Sequence, residues 1–147
     1  MPHTAADPLS PFEPGVRAWF AETFGAPTAV QAAAWPLVAA GEHLLATAPT
    51  GSGKTLTAFL WALNQFAAGR WERGATRVLY VSPLKALAHD VQRNLLTPIE
   101  EISLPIRVET RSGDTPSDRK KRQRIRPPHV LLTTPESLSL LLSYPES

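Results

Sequence analysis

Ala48-Pro49-Thr50-Gly51-Ser52-Gly53-Lys54-Thr55 is the stretch whose reading decides the fold. An apolar run, His43 to Ala48, leads into it, and a helical stripe of Leu56, Phe59, Leu60, Leu63 and Phe66 follows. Strand, glycine-rich turn and helix in that order leave unpaired backbone N–H groups converging on one spot, where the helix dipole also favours negative charge. Phosphate binds at such a spot. Gly51 and Gly53 let the backbone approach closely, Lys54 supplies a cation for β- and γ-phosphates, and the Thr55 hydroxyl is placed to ligate Mg²⁺. The strict phosphate-loop pattern has glycine where this chain has Ala48, a small departure. ATP with Mg²⁺ is the expected ligand, held by Pro49, Thr50, Gly51, Ser52, Gly53, Lys54 and Thr55.

Outward from the loop, strand and helix patterns alternate. Arg77 to Ser82 reads as a β-rich strand, and Leu84, Leu87, Ala88, Val91 and Leu95 share one face of the next helix. Ile106 to Glu109 reads as a third strand, Asp114 to Arg126 as a polar, mostly basic stretch, and His129 to Thr133 as a fourth strand after the Pro127-Pro128 break. Thr134 is placed as an N-cap with Pro135 at the first helical position, opening a helix that buries Leu138, Leu141 and Leu142. Strands separated by helices of this length imply an α/β fold with a parallel sheet and helices on both faces.

Upstream, Val16, Trp19, Phe20 and Phe24 fit one helical face ended by Gly25 and Pro27. Thr28 then caps a second helix carrying Val30, Ala33, Ala34, Leu37 and Val38. Residues 1–14, with four prolines and little apolar periodicity, read as an extended surface lead-in, leaving 15–147 as one domain.

Composition narrows the function classes. The chain has 147 residues, 43% of them hydrophobic and 19% charged, and no apolar run approaches the roughly 20 residues that cross a bilayer. No secretory pattern is present at the N-terminus, so the cytoplasm is the expected location. The absence of cysteine excludes disulfides and thiolate metal sites. Net charge is only +2, yet residues 106–126 hold eight lysines and arginines against three acidic residues. A solvated helix face is the commoner reason for such a run, and a phosphate-bearing partner the more specific one.

The form A-x-T-G-S-G-K-T resembles that of superfamily-two DExH/DEAD-box helicases, and Phe24, Gly25, Pro27, Thr28 and Gln31 resemble their adenine-reading Q motif. In that family the glutamine amide, both donor and acceptor, hydrogen-bonds adenine in two directions, which makes Gln31 the candidate here. Pro83-Leu84-Lys85-Ala86-Leu87-Ala88 resembles helicase motif Ia, and Thr133-Thr134-Pro135-Glu136-Ser137-Leu138 resembles motif Ib. Ser112-Gly113-Asp114-Thr115 is a turn of the type found between them. These spacings are most similar to the large helicase-related, Lhr-like group of DNA helicases. The resemblance implies a RecA-like P-loop NTPase domain, acting 3′ to 5′ on DNA held as a single strand. It implies strand contacts at Pro83, Lys85, Ser112, Gly113, Thr134, Pro135 and Glu136.

Helicases of this type need an Asp-Glu pair at a later strand end and a second RecA-like domain with arginine fingers. No strand read here ends in an acidic pair, so the fold is expected to be incomplete, stopping before the strand that bears the catalytic carboxylates. The chain is then expected to bind ATP and not to hydrolyse it alone. A stand-alone nucleotide-binding or nucleic-acid-binding module without motor activity is the second reading. A small-molecule kinase is the third, disfavoured by Gln31 and the Thr134-Pro135-Glu136 edge.

Overall fold

The computed structural model describes residues 7–49, 51, 53–71, 74–83 and 85–143, with the side chains of 85–89 outside the description. They form two compact units, Met1–Arg70 and Trp71–Ser147. Among the described residues no helix is long and apolar enough to cross a membrane.

The first unit is helical. Helix α1 (Pro14–Phe24) starts with proline at its first position, where the missing N–H costs nothing, and ends at Gly25 with φ of 81°. Thr28 caps α2 (Ala29–Ala39) in a full capping box: its hydroxyl accepts from the Gln31 N–H, and the Gln31 side chain accepts from the Thr28 N–H. Helix α3 (Lys54–Ala67) begins at the glycine-rich turn and buries Phe59, Leu60 and Leu63 as its periodicity requires.

The buried face of α2 differs from the apolar stripe. Ala33 and Leu37 are exposed, whereas Gln31, Ala34 and Trp35 are buried. Trp35 decides the rotation. Its ring makes edge contacts with Phe12 and Phe20, at centroid distances of 5.0 and 5.3 Å, and its Nε1 donates to the Thr57 carbonyl at 3.1 Å.

The lead-in is likewise not a surface segment over its described part. Leu9 is buried and Phe12 is 3% exposed, its ring lying against both Trp35 and Trp61. Asp7 accepts from the N–H groups of Leu9 and Ser10 and so forms the turn, and the buried Asn64 amide oxygen accepts from the Glu13 N–H at 2.7 Å. Prolines break local periodicity, but the segment is held by contacts with α2 and α3 that lie far away in sequence.

The second unit is a three-stranded parallel sheet, β1 (Val78–Val81), β2 (Val108–Arg111) and β3 (Val130–Thr133), in the order β1-β3-β2. β3 is central and buried throughout, pairing Val130 with Val78 on one side and with Val108 on the other. Helix α4 (Lys85–Ile102) connects β1 to β2 and packs on β2 and β3 through Val91, Leu95 and Ile99. Helix α5 (Ser117–Ile125) connects β2 back to β3. Because the two connections run in opposite directions across the sheet, right-handed crossovers place α4 and α5 on opposite faces. His129, just before β3, accepts the Arg107 N–H at Nδ1 (2.8 Å), and the Arg107 guanidinium donates to the carbonyls of Arg126 and Pro127, anchoring the proline break.

Two expectations fail here. Among the described residues His43 to Ala48 has no strand partner, and Leu45 is 88% exposed. An apolar run becomes a strand only where its N–H and C=O groups meet a neighbouring ladder, and the described ladders join only β1, β3 and β2. In α6 (Pro135–Leu142) the cap is as read, with Thr134 accepting from the Ser137 N–H, but Leu142 is 70% exposed and Leu138 and Leu141 are only half-buried. Local periodicity specifies an apolar face; it does not supply the surface that covers it.

Candidate nucleotide and strand sites

The nucleotide candidates fall in the first unit. Gly51 and Gly53 both have φ of 84°, a left-handed conformation that side chains rarely adopt. Gly53 is the N-cap of α3, so the N–H groups of the first turn point out of the helix beside it. Its carbonyl is held by three donors: the Thr57 N–H at 2.9 Å, the Thr57 hydroxyl at 2.7 Å and the Gln31 amide at 3.3 Å. Lys54 begins the helix with its side chain exposed, and Thr55 is half-buried next to it. Pro49 is exposed, while Thr50 and Ser52 lie outside the described residues. An ATP phosphate chain fits this arrangement, since bare glycine backbone, helix N–H groups and a lysine ammonium all favour anionic oxygen.

Gln31 is at the centre of this unit, 3% exposed, and both ends of its amide are engaged. Its Oε1 accepts from Thr28 N–H at 3.0 Å and its Nε2 donates to the Gly53 carbonyl at 3.3 Å. The side chain that the resemblance assigns to adenine is therefore tied to the phosphate loop itself. Those two bonds use one N–H and one lone pair of the amide, which leaves a second N–H and a second lone pair for a base.

A Cβ at Gly53 would lie 2.5 Å from Gln31 Nε2 and 3.3 Å from its Cδ. Gly53→Ala is accordingly expected to displace Gln31 and strain the α3 cap, costing about 1–3 kcal/mol. A lowered urea midpoint together with weakened ATP binding would show it. At Gly51 an added Cβ meets nothing within 4 Å, so only the φ penalty applies.

The strand candidates fall in the second unit. A cavity of about 120 Å³ opens at the carboxyl ends of β2 and β3, where parallel α/β sheets present their ligand crevices. Of the sequence candidates it takes in Ser112 and Thr134, and it adds Arg111, Thr115 and Arg119. Gly113, Pro83, Pro135 and Glu136 are exposed and outside its lining, and the Lys85 side chain lies outside the described residues. Glu136 sits in the first turn of α6, where its negative charge complements the helix dipole. Arg119 was visible in the sequence only as one member of a basic run; the register of α5 against β2 is what separates it from the others.

Comparison with known proteins identifies the family. Residues 28–146 match the model of the DEAD/DEAH box helicase family. The chain is 50% identical to the Lhr helicase/probable uracil glycosylase of Mycolicibacterium smegmatis over 97% of its own length, and 45% identical to the Lhr helicase/uracil glycosylase of Escherichia coli over 90%. It spans 10% of each of those relatives. Among solved structures, that of Mycobacterium smegmatis helicase Lhr bound to ssDNA and AMP-PNP superposes with a TM-score of 0.88 and 48% identity, over 96% of this chain and 19% of that one. The DUF1998 helicase MrfA bound to DNA and AMPPNP gives 0.77 and 29%, over 88% and 18%. With a phosphate loop, a parallel three-stranded sheet and a family match across most of its residues, the chain belongs to the DEAD/DEAH box helicases.

Proposed function

We propose that this chain forms the ATP-binding and strand-contacting part of an Lhr-type, ATP-dependent DNA helicase. The observation that carries the reading is the joint between Gln31 and Gly53, which couples the adenine-reading candidate to the phosphate loop through one hydrogen bond. Lys54 holds the β- and γ-phosphates, the Gly51 and Gly53 backbone cradles them, and Thr55 ligates the Mg²⁺ that accompanies ATP. The metal neutralises phosphate charge when bound. The relative that superposes best among those described was solved with ssDNA and an ATP analogue, which supports single-stranded DNA as the partner of the sheet edge in this chain. Movement 3′ to 5′ and a cytoplasmic location are part of the same proposal, the former supported by the family resemblance and the latter by the composition.

ATP turnover needs carboxylates that hold Mg²⁺ and orient water, together with arginine fingers from a second motor domain. None of the three described strands ends in an acidic pair: they end at Val81, Arg111 and Thr133. The 147-residue chain by itself is therefore expected to bind ATP saturably without steady hydrolysis, with or without DNA. Phosphate release measured on the purified chain decides this, and steady turnover that disappears in Lys54→Ala would overturn the division between binding here and hydrolysis elsewhere.

A further inference from the structure

We propose that Arg119 is a phosphate-binding residue for the nucleic-acid strand, acting from α5 with the hydroxyls of Ser112, Thr115 and Thr134. The proposal rests on the strand-binding reading above and assigns a residue that the basic run by itself leaves undistinguished.

The rotation of α5 is fixed by Gln123, which is buried, donates from Nε2 to the Thr110 carbonyl at 3.0 Å and accepts from Arg111 at 3.5 Å. Arg111 also donates to the Lys120 carbonyl, so the end of β2 grips one face of the helix. Arg119 lies one turn before Gln123 on that same face and lines the cavity at the carboxyl ends of β2 and β3. Lys121, Arg122 and Arg124 do not line it. Arg122 is exposed and pairs with Asp118 at 3.8 Å, whereas Arg119 has no ion pair among the described residues. The helix thus has one cation turned to the crevice and several on its solvated side.

The chemistry of the lining selects the ligand. Ser112 accepts from Asp114 N–H at 3.3 Å, Thr115 accepts from Ser112 N–H at 2.9 Å, and Thr134 accepts from Ser137 N–H at 3.3 Å. All three hydroxyls spend acceptor capacity on the backbone and keep an O–H to donate. Three unspent hydroxyl donors beside a guanidinium suit an anion with several acceptor oxygens. Asp114 also lines the cavity, but two arginines against one aspartate leave it positive. Among the described residues no aromatic ring lines it, so they offer no platform for stacking a base, and the volume suits a single phosphate group. Arg119 therefore holds the backbone of the strand without reading its sequence.

Anisotropy titration of the 147-residue chain with labelled oligothymidylate, repeated across salt concentrations, tests the assignment. Arg119→Ala is expected to weaken binding about tenfold and to flatten the dependence of log affinity on log salt by about 0.7, one single-strand phosphate contact. Arg119→Lys should keep the salt dependence and recover part of the affinity, which loss of packing would not predict. Arg122→Ala should match the unmutated chain in both. Thermal unfolding of all four proteins confirms that each is folded. If Arg119→Ala binds as Arg122→Ala does, the assignment is overturned and the strand-binding reading stands. If the unmutated chain fails to bind oligothymidylate even at low salt, the strand-binding reading falls and takes the assignment with it.

Discussion

Trp35→Ala is expected to cost the first unit about 3–5 kcal/mol, a large share of the roughly 5–15 kcal/mol that stabilises a typical domain. Trp35 is completely buried, stacks edgewise on Phe12 and Phe20, and donates its indole N–H to the carbonyl of Thr57. Removing the ring leaves a cavity where α2, α3 and the Leu9 to Phe12 turn meet, and deprives a buried carbonyl of a donor. Trp35→Phe separates the two effects. It fills most of the volume and lacks the N–H, so its loss should be nearer the 1–3 kcal/mol of a buried carbonyl missing its partner. Urea denaturation of the two variants measures both values, and equal losses would mean that the hydrogen bond, rather than packing, holds the joint.

Lys54→Ala is the second large effect, and it acts on binding. The side chain is exposed at the first position of α3, so its removal should leave the unfolding midpoint nearly unchanged. ATP affinity should fall about ten- to a hundredfold, as expected for loss of charge-assisted contacts to phosphate oxygens. Adenosine, which carries no phosphate, should bind the variant and the unmutated chain equally. Competition against a fluorescent nucleotide reads both. A parallel loss of adenosine binding would instead indicate that Lys54 supports the fold of the loop.

The phosphate loop and the caps at Thr28 and Thr134 were legible in the sequence because each depends on residues close together in the chain, whereas the parallel sheet, whose paired strands lie far apart, was legible through the alternation of strand and helix patterns. A glycine at φ of 84°, a threonine hydroxyl reaching its N3 amide and a proline at N1 are local devices with local signatures. What escaped depends on distant partners. Phe12 looked like part of a proline-rich lead-in because Trp35 and Trp61, which bury it, lie 23 and 49 residues further on. The buried face of α2 was misread because a helix with apolar residues all round gives periodicity little to choose between, and Trp35 and Gln31 set the rotation through α3. The run from His43 to Ala48 has strand composition without a ladder among the described residues, since hydrogen-bond partners are not a property of composition.

The site was legible in the same uneven way. Gly51, Gly53, Lys54 and Thr55 could be named from spacing, and Ser112 and Thr134 from the family resemblance. That Gln31 is bonded to Gly53, and that Arg119 is the one basic residue of α5 to line the crevice with Ser112 and Thr134, required the fold.

Titration of the isotope-labelled chain with Mg-ATP, followed by amide NMR, tests the central claim most directly. The account predicts that the backbone amides of Gly51, Gly53, Lys54 and Thr55 shift together with the side-chain amide of Gln31, as phosphates occupy the α3 N-terminus and adenine bonds the glutamine. Saturable shifts confined to other residues, with those five signals unmoved, would contradict it.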